Sequence, residues 1–138
     1  MVLAENQKIR ITSKAENIIL VEKMIEDVCD VFNISEDYYG NILVALTEAV
    51  NNAIYHGNQA NPNKSIDIYF KSHPNHVSFI VKDEGAGFGY DSLPDPTSPE
   101  NIEKPNGRGV FLMRNLADKV TFEDNGSKVI LDFNISAN

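Results

Sequence analysis

The chain has 138 residues, 42% of them hydrophobic, with 12 basic against 20 acidic side chains and a formal net charge of -8. That length supports one domain with a core of its own, the composition is too apolar for a disordered segment, and the charge is of the wrong sign for nucleic acid. One cysteine, Cys29, excludes an internal disulfide and a cysteine-based zinc site; its apolar helical setting predicts a buried thiol and a reducing, cytoplasmic surrounding.

"QKIRITS", residues 7–13, alternates apolar and polar side chains as an outer strand does, and Ser13 is expected to cap the helix that follows. "ENIILVEKMIEDVCDVF" places Ile18, Val21, Met24, Ile25, Val28 and Val31 or Phe32 on one stripe, which predicts a helix with one buried face. "NIS" breaks it. Ser35 and Asp37 begin a second helix, predicted to run to about His56 and to stop at Gly57. Two strands follow near 65–72 and 76–83, turned by His73–Asn75. "GAGFGYDSLPDPTSPENIEKPNG" has glycine or proline at many positions; a loop that long is usually a lid, a binding loop or disordered, and the lid is placed at 88–106. "GVFLMRNLAD" predicts a short helix, and "KVTFEDNGSKVILDFNI" a hairpin turning around Asp124–Gly126. The order β-α-α-β-β-lid-α-β-β predicts a sheet with helices packed on one face, in one domain over 1–138. No apolar run nears the ~20 residues that cross a bilayer and no leader is evident, so a soluble chain without membrane contact is expected.

The second helix raises a question of charge. From Tyr38 to Pro62 the only charged residue is Glu48. At roughly 100° per residue, Ile42, Leu46, Ala49, Val50, Ala53 and Ile54 share one side, while Asn41, Ala45, Glu48, Asn52 and Tyr55 share the other. A plain surface stripe is one reading. The other is the wall of a ligand site, because a face kept soluble usually carries Lys and Glu. The Asn52 amide oxygen suits Mg²⁺, which commonly bridges phosphates. Glu48, one turn away, is placed to take a proton from an attacking hydroxyl or water. Phosphoryl transfer needs that combination.

Two glycine segments extend the pattern. "VSFIVKDEGAGFG" runs a strand into a turn with Asp83 at its end. A carboxylate only accepts hydrogen bonds, so Asp83 can read the exocyclic amine of adenine, and Gly85 and Gly87 let the backbone approach a flat base. An ordinary β-turn with aspartate is the plainer alternative. "NGRGVFLMRNLAD" opens a helix with Gly107 and Gly109, whose free N–H groups suit phosphate oxygens, although the same glycines also suit a hinge. A P-loop and a dinucleotide fingerprint are both missing. His56 at the helix end has a small claim on the chemistry. His73 and His76 flank a turn and are expected to be exposed, and the histidines are too scattered for zinc.

Together these residues resemble the ATP-binding superfamily shared by histidine kinases, Hsp90, type II topoisomerases and mismatch-repair MutL (GHKL type). "EAVNNAIYHG" is similar to its N box, "DEGAGFG" to its first glycine box, "GRGVFL" to its second, and "GSKVIL" to its final strand. The resemblance implies the Bergerat fold: an α+β two-layer sandwich with a mixed, mainly antiparallel sheet and helices on one face. It implies ATP and Mg²⁺ as cofactors, Glu48 as catalytic base and Asn52 as metal ligand. Asp83, Gly85, Gly87 and Ser127 would hold adenine, and Gly107, Gly109 and Val110 the phosphates. The superfamily's lid arginine is met by Pro105, and Lys104 or Arg108 is expected in its place.

Size and "ALTEAVNNAIYHGN" most resemble bacterial anti-sigma factors that are serine-protein kinases. That implies a sigma factor or a STAS-type antagonist protein as partner, no direct nucleic acid and, since relatives often pair, a homodimer. Those kinases tend to carry an arginine on the first helix for sigma contact; here Ile19, Leu20 and Val21 stand nearby, with only Lys23 basic. Two alternatives remain open: a binding module whose ATP only shapes a partner surface, and a stand-alone histidine-kinase-type catalytic domain.

Overall fold

A computed structural model describes residues 6–85 and 105–135. Strands β1 (Asn6–Thr12), β2 (Ser65–Ser72), β3 (His76–Lys82), β4 (Lys119–Glu123) and β5 (Lys128–Asn134) form one sheet in the order β1-β2-β3-β5-β4. Every pairing among the described residues is antiparallel, so the mixed sheet expected above is not found. Two of the four pairings, β2–β3 and β4–β5, are hairpins joined by short turns, which only antiparallel neighbours allow; β1–β2 and β3–β5 follow from which strands become neighbours. Helices α1 (Ile18–Val31), α2 (Glu36–Asn52) and α3 (Pro105–Leu116) supply the second layer of an α+β sandwich.

Register follows from side-chain alternation. Ile9, Ile68, Val81, Val129 and Phe122 form one row across the sheet, facing the helices. On the opposite face Arg10, Asp67, Lys82, Lys128 and Glu123 form a charged row, as expected where one side of an antiparallel sheet meets water. Arg10 makes a two-pronged contact with Asp67, at 2.7 and 3.1 Å, and holds that carboxyl below the usual aspartate range.

The first helix buries Val21, Met24, Ile25 and Val28. At its end Phe32, not Val31, turns inward: Phe32 packs tilted against Phe70 with ring centroids 5.0 Å apart, while Val31 is exposed. The break at "NIS" is a left-handed Asn33, after which Ile34 N–H reaches back to the Cys29 carbonyl at 2.9 Å and its side chain is buried. Cys29 is half-buried rather than buried, and burial still pushes its thiol up to about 11. Ser13 does not cap α1. It is pulled into the core edge, where its hydroxyl donates to the Lys64 carbonyl, and a 3-10 turn at Ala15–Asn17 leads into the helix instead. Ser35 does cap α2, accepting from Asp37 N–H at 3.2 Å. His73 and His76 are stacked, centroids 4.1 Å apart, and so are half-buried where exposure was expected.

Candidate functional site

The inner stripe of α2 is buried as its periodicity requires, from Ile42 to Val50, and Ala53 and Ile54 continue it. The opposite face is not open to solvent as a whole. Helix α3 lies across it, so Ala45 is fully buried and Asn52 is 8% exposed, while Glu48 stays part-exposed. Gly109 marks the crossing. A Cβ there would stand 3.0 Å from Glu48 Oε2 and 3.2 Å from Asn52 Nδ2. A side chain there would press on the acid and the amide, which would have to give way by a few tenths of an ångström. Among the described buried side-chain polar atoms, Asn52 Nδ2 alone has no hydrogen-bond partner. An unsatisfied buried donor costs about 1–3 kcal/mol, which makes this position expensive for stability alone.

Past Asn52 the helix widens. Ala53–Gly57 form a π-helical turn, closed by Asn58 N–H on the Ala53 carbonyl at 2.8 Å. The stop at Gly57 is therefore not a left-handed glycine cap. Gly57 is there for close approach: a Cβ on it would lie 2.3 Å from Asp83 Oδ2. Gly85 answers from the other side, since a Cβ on it would lie 1.9 Å from the Gly57 carbonyl oxygen. Asp83 directly follows β3 rather than ending it. Its N–H donates to the Ser127 carbonyl at 2.9 Å, and its Oδ1 accepts from Gly85 N–H at 2.8 Å. Burial raises the Asp83 carboxyl above its ordinary value, and the Gly85 N–H and Lys64 only partly oppose this.

Asn52 and Asp83 line one small cavity with Ala49, Val81, Met113 and Ser127. As it stands the cavity has room for about a single water. Ser127 lines it, but its hydroxyl donates to the Asp124 carbonyl at 2.9 Å. What Ser127 gives Asp83 is its backbone. Val110 is buried in α3. Gly107 and Arg108 lie in the first turn of α3, which begins at Pro105, so the glycine segment sits within the helix rather than before it. Gly87, Lys104 and the lid expected at 88–106, up to residue 104, lie outside the described residues. Met113 was missed in the sequence; its signal is the spacing of four from Gly109 on the face turned to α2. Cys29, His73 and His76 do not line the cavity, and His56 is exposed in the π turn that follows α2.

A buried aspartate and an unsatisfied amide on one cavity, with a part-exposed glutamate one helical turn from the amide, are what a nucleotide and its metal would need. Residues 11–133 match the histidine kinase-like ATPase domain. The chain belongs to that family. Among curated relatives of the ATPase domain, the serine-protein kinase RsbW of Staphylococcus aureus strains JH9 and Newman is 29% identical in each case, over 83% of this chain and 76% of the relative. A crystal structure of the RsbU and RsbW domains of a Mycobacterium tuberculosis protein is similar with a TM-score of 0.63 at 14% identity. It covers 96% of this chain, and the chain spans only 33% of that one, so the likeness concerns the ATPase fold. No helix among the described residues is long and apolar enough to cross a membrane.

Proposed function

We propose that this ATPase domain binds Mg²⁺-ATP and passes the γ-phosphoryl group to a serine of a small STAS-type antagonist protein, as an anti-sigma factor kinase that switches between that antagonist and a sigma factor. The single observation that carries this is the buried Asn52 amide, one helical turn from Glu48 and on the same cavity as Asp83: its unused N–H suits a phosphate oxygen, and its carbonyl oxygen is the atom a metal would take. The donor set fits the metal: a neutral amide beside a carboxylate, roofed by a glycine that leaves no side chain in the way. Asn52 would hold Mg²⁺, which when bound neutralises charge on the phosphates.

The chain's own residues account for the rest. Asp83 accepts from the adenine amine, and of the expected phosphate-binding residues Gly107, in the first turn of α3, has an N–H free to meet phosphate oxygens, whereas the N–H groups of Gly109 and Val110 lie within the helix. Glu48 takes the proton of the incoming serine hydroxyl as its oxygen bonds to phosphorus and ADP leaves. The resemblance to the anti-sigma kinases, together with relatives named as serine-protein kinases, supports serine over histidine as acceptor. The alternative reading is a module in which ATP mainly reshapes a partner surface with little transfer; Asn52 and Asp83 on one cavity serve both readings, and Glu48 is what separates them.

Incubation with γ-labelled ATP, Mg²⁺ and candidate antagonists from the same genome separates the two. Label is expected on a partner serine, lost in Glu48→Gln with nucleotide binding kept. Asn52→Ala should weaken Mg²⁺-ATP far more than metal-free nucleotide. Equal labelling by Glu48→Gln removes the base assignment, and no labelling by the wild type leaves the binding module.

A further inference from the structure

Asn58, just past the π turn, is wholly buried and was not singled out by its sequence setting. Its side chain uses both of its donor hydrogens: Nδ2 donates to Ser13 Oγ at 2.7 Å and to the Ser65 carbonyl at 3.0 Å. Its Oδ1 accepts from Glu84 N–H at 2.8 Å. One amide thus joins the end of β1, the start of β2 and the segment leaving β3. The last link bears on the site. Glu84 follows Asp83, and Gly57, whose backbone walls the Asp83 carboxylate, precedes Asn58. Two stretches, Gly57–Asn58 and Asp83–Glu84, are held side by side through one buried side chain. Glu84 is tied a second time, its carboxylate accepting from Ser65 N–H.

We infer that Asn58 is a positioning residue for base recognition, and that the preference of this site for adenine over guanine depends on it. The inference rests on the reading of Asp83 as the adenine acceptor. Where adenine offers an amine donor, guanine offers a carbonyl oxygen. A carboxylate that only accepts discriminates between them as long as it is held at that edge. Freed from Glu84, the turn carrying Asp83 loses one of the contacts that fix it, and the discrimination relaxes.

The test measures affinity for ATP and GTP, with melting temperature, in the wild type, Asn58→Ala and Ser13→Ala. Asn58→Ala is expected to weaken ATP about tenfold, the effect of about one well-placed hydrogen bond, while GTP changes little. kcat at saturating ATP should stay near wild type, because Glu48 and Asn52 are untouched and the loss appears in KM. Ser13→Ala lies outside the cavity yet removes one of the acceptors that orient Asn58. It should shift the ATP:GTP ratio in the same direction by a smaller factor, and add nothing in an Asn58→Ala background. If Asn58→Ala does not fold, Ser13→Ala alone decides. Lower melting temperatures with an unchanged ATP:GTP ratio would make Asn58 a structural hub only and overturn the inference. Failure of the parent reading looks different: the wild type itself would show no preference for ATP, or Asp83→Asn would bind it equally well.

Discussion

At residue scale the site turns on contacts that leave no space for a Cβ. Gly57→Ala would drive a methyl group into the Asp83 carboxylate, which is boxed in by Gly85 and the Ser127 backbone. Overpacking of this kind costs about 1–3 kcal/mol. We expect a lowered denaturation midpoint and loss of most ATP affinity, read by urea titration and calorimetry. Asp83 also sets a pH dependence. Its folded value is raised by burial, so its charge opposes folding: stability falls as pH rises from the ordinary aspartate range through the raised value, and is flat above it. Nucleotide affinity runs the other way, because the adenine amine needs the deprotonated acceptor. ATP binding should weaken by up to about tenfold per pH unit below the raised value, with that acid limb missing in Asp83→Asn. A titration in which wild type and variant share one profile would refute the assignment. Residue types made this site legible: one acid in the otherwise uncharged stretch from Tyr38 to Pro62 and an aspartate before glycines. The role of Gly57 was not legible, because it depends on a carboxylate twenty-six positions further along the chain.

At the scale of elements, α3 is the part whose sequence reading was least complete. Its periodicity predicted a helix but not that it starts at Pro105, where a proline's missing N–H is no loss. Nor did it show that the helix would lie across Glu48 and Asn52. Gly109 is expensive there, since glycine inside a helix costs about 1 kcal/mol relative to alanine. Gly109→Ala should therefore keep or slightly raise stability, Glu48 being flexible enough to yield to a methyl group at 3.0 Å, while phosphoryl transfer falls at least about tenfold. Thermal melts paired with labelled-ATP assays check this, and a variant with full transfer would show that the close crossing has no functional part. The strands and the first two helices were legible almost throughout because their apolar periods are regular. Val31 against Phe32 was decided only by the ring of Phe70, which no local pattern contains.

For the whole molecule, the helical layer is fixed to the sheet by an aromatic chain. Phe32 meets Phe70, Phe70 meets Phe79 at 5.3 Å, and Phe79 meets Phe133 at 6.2 Å, linking α1 to β2, β3 and β5. Phe79 is fully buried on the central strand of the sheet. Phe79→Ala should cost about 3–5 kcal/mol, a large share of the stability of a domain this size, and broaden or abolish cooperative unfolding in chemical denaturation. A loss below about 1 kcal/mol would mean that the core refills around the gap. The two-layer plan was legible from element order. The all-antiparallel pairing was not, because element order alone leaves open which strands become neighbours.

The widened turn at Ala53–Gly57 acts as a phase adjuster between two halves of the pocket. Upstream of it the helix aims the acid and the amide; the turn's last residue, Gly57, is the wall behind the aspartate, and Asn58 just beyond braces that wall. Excise one residue from the turn and everything after it rotates by roughly 100° relative to everything before. Each half would then keep its own shape while the two no longer faced a common ligand.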